Sequence, residues 1–82
     1  MPNPIRHVVR AYPNGMGLDG VHQQWRVYVY GNPIGAIEWD ARRNCYVFVC
    51  FVEFNKFDER SLGGLAVLVR GANSGVKIHD SD

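Results

Sequence analysis

Trp25-Arg26-Val27-Tyr28-Val29-Tyr30-Gly31-Asn32-Pro33-Ile34-Gly35-Ala36-Ile37-Glu38-Trp39 is the stretch that decides the fold. From Trp25 the chain alternates: Trp25, Val27 and Val29 share one face, and Arg26, Tyr28 and Tyr30 share the other. Period two is the signature of a strand with one buried side. Gly31-Asn32-Pro33 supplies turn chemistry, and Ile34 to Trp39 returns as a second strand with Ile37 and Trp39 on one face.

Downstream, Asp40-Ala41-Arg42-Arg43-Asn44 reads as the next turn and Cys45 to Phe54 as the longest strand. Tyr46, Phe48, Cys50, Val52 and Phe54 fall on one side of it, and Val47, Val49 and Phe51 on the other. Apolar residues on both faces predict a central position between two packed layers. On that basis Phe48→Ala is expected to cost roughly 3–5 kcal/mol. Upstream, Ile5 to Tyr12 lies between Pro4 and Pro13, which suits an edge strand. Pro13 to Gly20, rich in glycine and carrying Asn14-Gly15, reads as a loop.

Residues 58–70 have two readings. Asp58 is a suitable N-cap for a helix in which Leu62, Leu65, Ala66 and Val69 recur at i, i+3, i+4 and i+7, closing at Gly71. Against this, Gly63 and Gly64 each cost about 1 kcal/mol in a helix interior, and Leu65 to Val69 is short enough for a buried strand. The helix is the preferred reading. Val76-Lys77-Ile78 is expected to add a short last strand, and His79 to Asp82 to fray. The predicted fold class is therefore α+β and β-rich: a small twisted antiparallel sheet of four to five strands with at most one short helix at about residues 58–70, in a single domain over residues 1–82.

Composition narrows function mainly by exclusion. At 82 residues the chain sits near the lower end of what buries a core without staples. Its 46% hydrophobic and 21% charged residues exclude a wholly disordered chain. A net charge of +1 gives no field to steer it onto nucleic acid or a membrane. The longest apolar run, Cys45 to Val52, is far short of the roughly 18 residues that suggest a membrane span. Cys45 and Cys50, five positions apart on one strand, lie on opposite faces roughly 16 Å apart, beyond the roughly 7 Å reach of a disulfide. Without a disulfide framework, and with a polar, proline-interrupted start at Met1-Pro2-Asn3-Pro4, a cytoplasmic protein of a prokaryote or one of its viruses is expected.

No metal, cofactor or catalytic residue is assigned. His7, His22, His79, Cys45 and Cys50 lack ligand spacing. The chain has no threonine and three serines, and Ser61 stands outside any nucleophile-elbow frame. Glu38 and Asp40, at a strand end, read as solvated carboxylates. Gly15-x-Gly17-x-x-Gly20 matches a dinucleotide fingerprint in letters only, since no helix pattern follows it. The expectation is a protein that is not an enzyme and uses no cofactor.

What remains is aromatic and basic: Arg26, Tyr28 and Tyr30 on one strand face, with Arg42 and Arg43 in a neighbouring turn. Tyrosine and arginine dominate protein interfaces because they offer large contact area at low entropic cost, and the same chemistry stacks on exposed bases. The competing reading is that the tyrosines roof a second core layer with their hydroxyls outward. As a binding site, these five residues predict a host or cognate protein as partner, in a regulating or inhibiting role, with nucleic acid as the alternative.

Val27-Tyr28-x-x-Gly31-x-x-Ile34-Gly35-x-Ile37-x-x-Asp40 followed by Tyr46-x-Phe48 resembles the start of the N-terminal subdomain of HipA-type toxin kinases. The likeness covers about residues 25–69. It implies a non-catalytic, β-rich module that contacts an antitoxin partner, with Gly31 and Gly35 as backbone devices and Ile34, Ile37, Tyr46 and Phe48 in the core. Kinase activity is not implied, because the chain has no kinase lobe and no ATP-binding loop. The setting that follows is a toxin–antitoxin, phage or anti-defence system.

Overall fold

Tyr30 and Gly31 sit at φ 48° and 81°, the left-handed pair that a two-residue type I′ hairpin turn requires. In the computed structural model, which describes residues 8–53, 57–75 and 77–78, this turn joins β2 (Gln23–Val29) to β3 (Asn32–Asp40). The register runs Val29↔Asn32, Tyr28↔Pro33, Val27↔Gly35 and Trp25↔Ile37, so Ile34 is an extra residue on β3, a bulge. The closing pair Val29↔Asn32 turns the nitrogen of Pro33 away from β2, and a proline there removes no bond from that ladder.

β1 (Val9–Met16) and β4 (Cys45–Cys50) complete an antiparallel meander in the order β1-β2-β3-β4. β1 is an edge strand, as Pro13 predicts, but it runs through Pro13 to Met16 where a loop is expected. An edge tolerates the missing N–H, and the register shift between Pro13 and Met16 absorbs Gly15 at φ 73°. The loop is therefore only residues 17–22. Ile5 to His7, expected in this strand, lie outside the described residues.

β4 departs most from expectation. It is an edge strand of six residues rather than the long central one, and the longest strand is β3, of nine. Phe51 and Val52 form a bend, and Phe54 lies outside the described residues. The pairing explains the apolar residues on both of its faces. Tyr46, Phe48 and Cys50 pair with Trp39, Ile37 and Gly35 on the side that carries the core, while Val47 and Val49, opposite Glu38 and Ala36, belong to the open side.

The helix reading of residues 58–70 holds. α1 spans Glu59–Asn73, and the Asp58 carboxylate accepts the Ser61 backbone N–H at 2.8 Å as its N-cap. It passes through Gly71 and ends at Ser74, with Gly75 at φ 75° just beyond. Its buried stripe is Ser61, Gly64, Leu65, Leu68 and Ala72. Of the expected stripe, Leu65 is buried, Val69 is half-buried, and Leu62 and Ala66 are exposed. Small residues at 61, 64 and 72 let the helix backbone approach the sheet, with Leu65 and Leu68 between them, which turns Leu62 and Ala66 out of the contact. The expected strand at Val76–Ile78 does not form over Lys77 and Ile78. Ile78 instead packs on the core, and Val76 and His79 to Asp82 lie outside the described residues.

The core lies between α1 and one sheet face: Val8, Val9, Ala11, Val27, Val29, Ile34 and Ile37 meet Leu65, Leu68 and Ala72. Gly63, on the solvent side of α1, has nothing within 4 Å of where a Cβ would stand. Gly63→Ala is thus expected to stabilise the fold by about 1 kcal/mol, the helix-propensity difference, read as a rise in denaturant midpoint at unchanged slope.

Candidate partner-binding face

The residues that pair across β1 and β2 assemble a two-by-two block on the face away from α1. Arg10 stands opposite Tyr28 and Tyr12 opposite Arg26, so aromatic and basic side chains alternate along both strands. Tyr12 and Tyr28 meet edge to face at 5.5 Å between ring centroids, and Arg10 Nη1 donates to the Tyr12 hydroxyl at 3.1 Å. Arg26 and Tyr12 are exposed and Tyr28 half-buried. Toward β3 and β4 the same face continues as Ala36, Glu38, Val47 and Val49. Among the described residues no element is packed over it.

The five residues expected to form one binding surface do not. Arg26 and Tyr28 share the block. Tyr30 leaves it: as a turn residue at positive φ, it sends its hydroxyl to Asp58 Oδ2 at 2.8 Å, tying the β2–β3 turn to the helix cap. Arg42 and Arg43 lie in the loop at the opposite end of β3, four residues beyond Ala36↔Arg26 at Asp40, about 13 Å along the strand. Their backbone N–H groups donate to Asp40 Oδ1 at 2.9 and 3.2 Å, so the Asp40 carboxylate closes a turn. Arg10 and Tyr12 are the members that sequence reasoning missed. Their signal is the alternation Val9-Arg10-Ala11-Tyr12, which mirrors Arg26-Val27-Tyr28-Val29.

A second aromatic group closes the other end of the core. The His22 ring lies flat on Trp39, centroids 3.9 Å apart and planes 4° from parallel, while Tyr46 meets Trp25 and Trp39 edge-on at 5.5 and 5.2 Å. Asp19 holds His22 in place. Its carboxylate accepts the N–H groups of Val21 and His22 and approaches His22 Nδ1 at 2.6 Å. These contacts, the Val21 N–H foremost, favour the charged form and lower the Asp19 pKa from 3.8 to about 2. A carboxyl depressed on folding stabilises above its unfolded pKa and ceases to as pH falls through the folded one. The contribution of Asp19 is therefore whole above pH 3.8 and lost toward pH 2, and Asp19→Asn should flatten the fall in melting temperature across that window. Asp58 is lowered likewise, by the Ser61 backbone N–H first.

No group of three or more His, Cys, Asp or Glu able to hold a metal occurs among the described residues, and both cysteines are free thiols. His7 and His79 lie outside those residues. No described helix is long and apolar enough to cross a membrane. Comparison with protein-family models, with curated proteins and with solved structures returns no match for this chain.

Proposed function

We propose that this chain is a non-catalytic protein-interaction module, binding a host or cognate protein through the open face of its sheet. The observation that carries the reading is the Arg10–Tyr12–Arg26–Tyr28 block, presented with no described element over it. Pairing the strands fixes the backbone that carries these side chains before any partner arrives, and the Arg10–Tyr12 and Tyr12–Tyr28 contacts hold three of the four, which lowers the ordering cost of binding. Tyrosine and arginine in such an array supply the anchors typical of binding hot spots. The apolar half of the face, the half-buried Val47 and Val49, favours a protein surface over a phosphate backbone. The net charge of +1 does the same, because nucleic-acid binding rests on a clear positive excess.

The setting we infer is regulation or inhibition of a larger prokaryotic machine, in a toxin–antitoxin, phage or anti-defence system. Support comes from the resemblance to the HipA N-terminal subdomain, whose quoted residues fall on β2, the Tyr30–Gly31 turn, β3 and β4 in order. Affinity capture from a bacterial lysate with wild-type chain and with the Arg26→Ala/Tyr28→Ala pair tests the reading. A protein retained by the wild type and lost by the pair supports it. Tyr30→Phe is the control: it should lower the melting temperature by breaking the bond to Asp58 and leave capture intact. Recovery of nucleic acid without protein, released steeply by salt, would overturn the proposal in favour of a nucleic-acid-binding sheet.

A further inference from the structure

The outer edge of β4 is an unfinished strand pairing. Phe51 N–H donates inward to Ile34 O at 2.8 Å, so the alternation of an antiparallel ladder turns the N–H and C=O of Tyr46, Phe48 and Cys50 outward. Asn73 confirms the direction: its side-chain amide accepts the Tyr46 N–H and donates to the Tyr46 C=O at 3.1 Å, as a neighbouring strand would. Among the described residues nothing reaches the outward backbone groups of Phe48 and Cys50.

The helix is unfinished on the same side. Leu62, Val69 and Asn73 lie within about 40° of one another around α1, with Ala66 just beyond, at 100° per residue. Asn73 stands at the β4 edge, so this stripe runs along that edge, level with Phe48 and Cys50. It overhangs the sheet: Leu62 is 38% exposed and Ala66 is exposed. The apolar periodicity in the helix sequence is thus wider than four strands can cover, and the uncovered part lies beside the open backbone groups.

We infer that a second copy of this chain completes both, its β4 pairing antiparallel to the first across a two-fold axis at Val49. The register Phe48↔Cys50′ and Cys50↔Phe48′, primes marking the second copy, uses only the open groups and leaves the Asn73 contact to Tyr46 undisturbed. It joins two four-stranded sheets into one of eight and brings the two overhanging helix stripes together. An isologous contact sets a patch against itself, so a patch carrying one sign of charge repels its copy. Cys45 to Cys50 holds no charged residue, and neither do Leu62, Ala66 and Val69. The β1 edge differs, carrying Arg10 and Pro13, the residues with which natural sheets block edge pairing.

Sedimentation equilibrium on the full chain tests this, with far-UV circular dichroism as the check on folding. The wild type should show a mass rising to twice the monomer with concentration. Val49→Lys, which sets two ammonium groups side by side at the axis on the solvent face, should be a folded monomer, and so should Ala66→Arg on the helix overhang. Mixing Val49→Lys with Val49→Glu should restore the doubled mass, which a merely misfolded variant would not do. The Arg26→Ala/Tyr28→Ala pair should remain dimeric, keeping this contact separate from partner capture. A wild type that stays monomeric at every concentration overturns the inference, as does a dimer that survives both Val49→Lys and Ala66→Arg or dissociates in Arg26→Ala/Tyr28→Ala.

Discussion

Ile37→Ala is expected to remove about 4 kcal/mol from the stability of the domain, enough to leave it marginal at the lower end of the range for its size. Ile37 has no exposed surface and sits mid-strand on β3, between Trp25 of β2 and Phe48 of β4 and beneath the helix. Truncating such a side chain costs the transfer free energy of the lost carbons plus the cavity they leave, about 4 kcal/mol at a site walled by two strands and a helix. A chain of this size has a total stability of roughly 4–12 kcal/mol, so most of the lower part of that range is removed. Phe48→Ala should cost less than the 3–5 kcal/mol expected from sequence. Its ring lies on an edge strand and is only half-buried, and a partial burial forfeits a partial transfer term. Urea titration of both variants ranks them, and a larger loss at Phe48 than at Ile37 would contradict the layer assignment.

That reversal shows which part of the fold is legible in sequence. Alternation fixed the faces of β2, β3 and β4 correctly, because period two is a property of the strand alone and needs no knowledge of neighbours. It cannot say which strand is central. Tyr46-Val47-Phe48-Val49 is apolar on both faces, the pattern of a buried strand, yet among the described residues no element covers its second face and its outer edge meets only the Asn73 side chain, at Tyr46. Strand order follows instead from the turns: a meander of hairpins places each new strand at the growing edge, which makes β4 the last and outermost. The helix was legible through Asp58 and the spacing of its leucines. Its rotation was not, since Ser61 and Gly64 are buried for their smallness and hydrophobicity alone ranks them below the exposed Leu62.

The candidate site was half legible for a related reason. Arg26 and Tyr28 follow from alternation within one strand, whereas Arg10 and Tyr12 join them only through the β1–β2 register. Tyr30 was assigned to their face by continuing the alternation past Val29, into a turn where the backbone changes hand at φ 48° and the alternation ends. Arg42 and Arg43 are near Arg26 in no sense that sequence distance records, because the hairpin carries them to the far end of β3.

Gly35→Ala should be close in severity to Ile37→Ala although it adds a single methyl group, and Gly63→Ala should have the opposite sign. Gly35 is buried on β3 opposite Cys50, and a Cβ built there collides with the Val49 carbonyl oxygen and stands 2.8 and 2.9 Å from two carbons of the Phe48 ring. The ring alone has room to turn at modest cost, but a backbone carbonyl in the β3–β4 ladder moves only if the ladder moves. The ring covers a site with no side chain of its own, as aromatic residues do beside strand glycines. Relieving the clash means parting β4 from β3 locally, which exposes Phe48 and loosens the anchorage of Asn73 on Tyr46. Overpacking of this kind costs typically 1–3 kcal/mol, and with backbone as the obstacle about 3 kcal/mol is expected. Because the strain falls on β4, amide hydrogen exchange should rise first at Val47 and Val49, which pair inward with β3, while β1 and β2 stay protected longer. Uniform loss of protection across all four strands, or a stability equal to that of the parent chain, would show that Gly35 is not the point where β3 and β4 are closest.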